Sequence, residues 1–232
     1  MDNVHNRLRD VRLQIELACR RAQRNPAEIT LVGASKTVPA ASLVAYARAG
    51  LQDVGENYVQ EALAKQQQFA QLQSDVAPRW HLIGGLQSNK AKVVVGAFSL
   101  IHSVDRVSLA KALDRAARER SIVQEVLLQV NLGNETTKSG CAPDELDALA
   151  RACAELPNIA VRGLMALPPF DPNPEAARSH FRRLRELRSH MSTHAPRATW
   201  QLSMGMTNDY PIAIEEGATI IRVGTGLFGT RT

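Results

Sequence analysis

The sequence has little of three things that would narrow its role at once: aromatic residues, cysteine and long apolar runs. Phe, Trp and Tyr make up only 4% of the chain, too few to build the stacking platforms on which single-stranded nucleic acids are held. Cys19, Cys141 and Cys153 are odd in number, far apart and without a C-x-x-C pair. That argues against a disulfide framework or a zinc ribbon and fits a reducing cytoplasm. No apolar stretch reaches the roughly 18 residues of a membrane-spanning helix, and the opening MDNVHNRLRD is polar and charged. Neither export nor a membrane partner is expected.

Lysine is scarce as well, with six among the 28 basic residues against 22 arginines. The net charge of +5, with Arg178, Arg182, Arg183, Arg185 and Arg188 crowded together, raises the question of nucleic acid. Phe181, Leu184, Leu187 and Met191 recur through the same stretch at helical spacing, which places the arginines on the solvated face of an amphipathic helix. No nucleic-acid partner is expected.

What is present is alternation. Val4, Leu8, Val11, Ile15 and Ala18 mark one face of a helix over residues 1–24, packed against the rest of the chain. Eight short apolar runs come next, at 29–35, 51–56, 80–83, 100–104, 126–131, 161–166, 199–204 and 219–223, most of them followed by a polar turn and a helical pattern. Pro39 and Gly50 punctuate the first intervening helix, and Pro143 and Gly217 act likewise. No Gly/Ser-rich linker divides the 232 residues. This pattern predicts a single-domain (β/α)8 barrel, with a doubly wound open sheet as the competing fold.

In such a barrel, chemistry sits at the carboxyl ends of the strands. Lys36 follows the first run, and a lysine kept in an arginine-rich chain suggests a required amine, because lysine forms an imine with a carbonyl and arginine does not. The loops after runs seven and eight, S-M-G-M-T-N and R-V-G-T-G-L-F-G, offer glycines and hydroxyls where barrels hold phosphate. Ser203, Gly205, Gly224 and Thr225 are the candidates. Gly224, Gly226 and Gly229 spell G-x-G-x-x-G, but no second strand or acidic residue follows to complete a dinucleotide site. His190 and His194 lack a third metal ligand nearby, and Glu56 and Asp105 read as isolated strand-end acids suited to capping. Two ligands fit an amine beside a phosphate cradle: a sugar phosphate on a Schiff-base aldolase, or pyridoxal 5'-phosphate (PLP).

Seven motifs decide between them: L-V-G-A-S-K-T at 31–37, V-G-E-N-Y-V-Q-E at 54–61, W-H-L-I-G-G-L-Q-S-N-K at 80–90, K-S-G at 138–140, G-L-M-A at 163–166, L-S-M-G-M at 202–206 and R-V-G-T-G-L-F-G at 222–229. Together they resemble the pyridoxal phosphate homeostasis proteins. The resemblance implies a barrel like the N-terminal domain of alanine racemase, with PLP as a Schiff base on Lys36 and Asn57 lining its pocket. It further implies Arg222 near the pyridine nitrogen, and phosphate on the loops bearing Ser203, Gly205, Gly224 and Thr225. Gly85 departs from the proline that many relatives carry. The β-domain by which racemases supply a second acid/base group is not expected here. The implied role is a monomeric, cytoplasmic PLP carrier that turns nothing over and serves apo PLP-dependent enzymes, with a weak amino-acid racemase as the alternative. Asn57, His81 and Lys138 would be the nearest proton-transfer groups of such a racemase.

Overall fold

The computed structural model describes residues 2–72, 75–133, 139–194 and 200–229. Its parallel strands are β1 Thr30–Ala34, β2 Asp53–Glu56, β3 Arg79–Leu82, β4 Leu100–Val104, β5 Gln124–Val130, β6 Ile159–Ala166, β7 Gln201–Met206 and β8 Ile220–Val223. They pair in chain order, and β8 returns to β1 with Val32 opposite Arg222 and Gly33 opposite Val223. That closure makes the sheet a (β/α)8 barrel and excludes the open alternative.

Helices α2 Ala40–Arg48, α3 Val59–Gln71, α4 Ala91–Val94, α5 Val107–Glu119, α6 Leu146–Ala154, α7 Arg178–His194 and α8 Tyr210–Glu215 carry the chain between strands. Before the barrel comes α1 Asp2–Arg21, and after it a single-turn α9 Thr225–Phe228. The stripe on α1 buries Leu8, Val11, Ile15 and Ala18 against α8 and α9. Apolar side chains that recur every three or four residues can leave water together on one face.

Inside the barrel, Val32, Leu100, Leu127, Met165 and Ile220 form a small apolar cluster of their own. The rest of the interior is polar to an unusual degree for a barrel core, with Asp53, His81, His102, Ser203 and Arg222 all buried.

Two sequence expectations need correction. The seventh strand runs two residues beyond the expected 199–204, because Gly205 with φ +91 does not end it. Pairing with β8 resumes at Met206 after an irregularity, so the glycine marks a bulge. The α7 arginines are not simply solvated either. Arg178, Arg182 and Arg185 reach Glu216 at 3.2, 3.2 and 2.9 Å, and Arg178 also reaches Glu215 at 2.8 Å. These cations are drawn inward by two carboxylates at the end of α8.

Candidate functional site

Register places the candidate residues around one corner of the barrel mouth. Ala34 lies opposite Gly55 of β2 and Gly33 opposite Val223 of β8. Lys36, Asn57, Gly224 and Thr225 therefore leave the barrel at the same end from three adjacent strands. Lys36 and Thr225 are exposed there, and Asn57 and Gly224 are half-buried.

The chain leading to Lys36 is fixed from beneath. Ser35 is fully buried, and its hydroxyl donates to Glu56 Oε1 at 2.5 Å. Lys65, reaching in from α3, donates to the same oxygen and to the Ser35 carbonyl, each at 2.6 Å. Glu56 is thus half of a buried ion pair and not the helix cap that its strand-end position suggested. Asp105 accepts from Arg106 at 2.6 Å and from the Gly140 amide at 3.3 Å. Asn57 is held by close approach, since a Cβ at Gly84 would stand 2.1 Å from the Asn57 carbonyl oxygen.

The other wall is built by the loops after β7 and β8. A Cβ on Gly205 would lie 2.6 Å from Ala213 Cβ and 2.9 Å from Tyr210 Cα, so α8 packs directly on the strand end. Thr207 Oγ1 accepts from the amides of Gly224 at 3.1 Å and Gly226 at 3.4 Å, joining the two loops. From α2, the Tyr46 hydroxyl donates to the Leu227 carbonyl, and its ring meets Phe228 edge-on at 4.7 Å. The single turn of α9 is thereby anchored to the barrel, with its amino end at the mouth.

Below the mouth lies Arg222, 3% exposed. It donates to Ser203 Oγ at 2.5 Å and to the Ala166 carbonyl at 3.0 Å. Burial pulls its pKa down to about 10, with Asp209 opposing the fall, so it stays a cation at neutral pH. Ser203 differs from its companions in the sequence reading: its hydroxyl is fully buried and faces Arg222 and His102, at 2.5 and 2.9 Å. His81 also lies inside the barrel, bonded to Asp53 and His102, each at 2.9 Å. Both of its ring nitrogens are engaged within the barrel. Lys138 lies outside the described residues.

Sequence reasoning missed Lys65, Asp53 and His102. Each carried a signal: Lys65 is one of only six lysines, and Asp53 and His102 are ionisable side chains inside runs read as barrel strands. Among the described residues no group of three or more His, Cys, Asp or Glu is placed to hold a metal ion, and His190 pairs with Asp147 at 3.2 Å. No described helix is long and apolar enough to cross a membrane.

Comparison with known proteins shows the family and the fold. Residues 11–232 match the family model of the alanine racemase N-terminal domain. The pyridoxal phosphate homeostasis protein of Aquifex aeolicus is 46% identical over 229 residues, covering 99% of each chain. The solved structure of PipY from Synechococcus elongatus PCC7942, with PLP bound, is 38% identical with a TM-score of 0.83, over 97% of this chain and 100% of that one. An alanine racemase of Clostridium difficile 630 shares the fold at 12% identity and a TM-score of 0.73, over 100% of this chain and 60% of the racemase.

Proposed function

Since the chain belongs to the pyridoxal phosphate homeostasis proteins, within the alanine racemase N-terminal domain family, we propose that it binds PLP as a Schiff base on Lys36. The observation that carries this is a juxtaposition. An exposed lysine at the end of β1 shares a corner of the mouth with the glycine-lined β7 and β8 loops, and a buried arginine lies beneath.

The residues fit the group. At Gly205 the backbone approaches α8 so closely that a Cβ has no room, and the short α9 points its amino end at the mouth, an arrangement by which barrels hold phosphate. Gly205, Gly224 and Thr225 would hold the phosphate, Lys36 the aldehyde carbon, and Asn57 the side of the ring. Arg222 would face the ring nitrogen, with Ser203 seating it from below.

When bound, PLP supplies an aldehyde that condenses with an amine and a ring that can draw electrons from an attached carbon. The protein sets how far the second property is used. A cation at the ring nitrogen opposes protonation there and weakens the electron sink. We propose accordingly that the protein holds PLP without turnover, as a single-domain monomer in the cytoplasm that serves apo PLP-dependent enzymes. Naming of the relatives as homeostasis proteins supports this role.

Weak racemase activity is the alternative. Incubating loaded protein with α-deuterated amino acids separates the two: a carrier leaves the deuteron in place, whereas sustained loss to solvent would establish an enzyme.

Gly205→Ala is a second test of the pocket. A side chain at φ +91, pressed on Tyr210 and Ala213, must push the end of β7 away from α8, at a cost of about 1–3 kcal/mol. PLP affinity measured by titration is expected to fall about tenfold or more, the equivalent of about 1.4 kcal/mol. Unchanged affinity would remove Gly205 from the phosphate cradle.

A further inference from the structure

Six side chains cross the barrel interior in a continuous hydrogen-bonded row. Arg79 donates to both Asp53 oxygens at 2.8 Å, and His81 Nε2 meets Asp53 at 2.9 Å. His81 Nδ1 meets His102 Nε2 at 2.9 Å, and His102 Nδ1 meets Ser203 Oγ at 2.9 Å. Arg222 completes the row at Ser203. Its first end lies at the barrel floor, where Asp53 and Arg79 line a cavity of about 520 Å³; its other end is the cation beneath the mouth.

Chemistry gives the row one direction. The Asp53 carboxyl is held below its usual range: burial raises it, but the bonds from His81 and Arg79 outweigh that and keep it ionised. An ionised carboxylate only accepts, so His81 must donate through Nε2. Complete burial above all, with the Arg222 cation nearby, holds His102 well below the normal imidazole range, so it is neutral and has one bare nitrogen. If His81 Nδ1 accepts from His102 Nε2–H, then His102 Nδ1 accepts the Ser203 hydroxyl proton. Ser203 oxygen is left free to accept from Arg222, and every member of the row is satisfied. The opposite direction requires an additional proton on His81 and leaves the Ser203 hydroxyl proton facing a guanidinium that has only donors.

We propose, resting on the cofactor assignment above, that His102 is a positioning residue of the PLP site: by accepting a hydrogen bond from the Ser203 hydroxyl it locks the Arg222 guanidinium that faces the cofactor ring. Asp53 and His81 orient His102, as second partners orient a catalytic imidazole. Asp209 is the acidic neighbour of Arg222 outside the row.

The test has two parts. In protein free of PLP, nitrogen NMR is expected to find His102 protonated on Nε2 and Arg222 rotating slowly. His102→Leu, or the milder Ser203→Ala, is expected to release that rotation. In protein loaded with PLP, His102→Leu is expected to raise the pH midpoint of the visible band by about half a unit or more, because a loosened cation opposes cofactor protonation less. His102→Asn, whose amide oxygen can replace Nδ1 as acceptor, is expected to move the midpoint back. A His102 protonated on Nδ1, or an Arg222 equally restrained in wild type and both variants, would overturn the proposal. So would Leu and Asn variants that both titrate like wild type. Should wild-type protein develop no visible band with PLP, the cofactor assignment fails, and the PLP-free spectra decide the role of His102 independently.

Discussion

Lys36→Ala is expected to lose most of the thermal stabilisation that PLP gives the wild-type protein. A ligand that binds only the folded state adds about 2.7 kcal/mol at a hundredfold excess over its Kd. For a chain of 232 residues that corresponds to a rise in Tm of roughly 5–10 °C. Most of this affinity is assigned to the covalent bond at Lys36, with the phosphate loops supplying the remainder. Lys36→Arg separates charge from condensation, since it keeps a cation at the mouth but forms no imine with the aldehyde. Both variants are therefore expected to show a small residual shift and no visible band. A shift equal to that of wild type in either variant would place the anchor elsewhere.

Lys65→Met is expected to have the largest effect on the fold itself. Glu56 is fully buried and its Oε1 receives Lys65 and Ser35, while Oε2 has no hydrogen-bond partner among the described residues. Removing Lys65 strands a carboxylate in the interior, and breaking one side of a buried pair costs about 3–5 kcal/mol. The same change removes one of two hydrogen bonds at the Ser35 carbonyl and leaves that from the Val38 amide, so the turn that carries Lys36 loses its restraint from α3. Thermal melting is expected to show a fall in Tm of roughly 10 °C. Adding Glu56→Gln should recover much of it, because the uncompensated charge is then gone. A Lys65→Met protein that melts like wild type would show that the pair contributes nothing to stability.

The barrel was legible because each of its strands is a short run that closes on a polar turn, and period alone separates such runs from the helices between them. Boundaries failed where a glycine sits inside a strand. Gly205 has the composition of a terminator yet lies one residue inside the end of β7, before pairing resumes at Met206, and nothing local distinguishes a bulge from an end. Lys36 was found through its position after β1 and the rarity of lysine. By the same rarity Lys65 deserved equal notice, but it lies within a helix, and only tertiary packing turns it inward beneath the mouth. The interior row was missed for a related reason. His81 and His102 are 21 positions apart, and their partnership exists only because closure brings side chains from β3 and β4 together with Ser203 of β7.

The central claim is that Lys36 is the covalent anchor of PLP. It is tested most directly by loading the purified protein with PLP, recording its visible spectrum, reducing with borohydride and mapping the added mass to a peptide. The expected result is a yellow protein whose label falls on Lys36. A protein that stays colourless and unlabelled, or one labelled on another lysine, would contradict it.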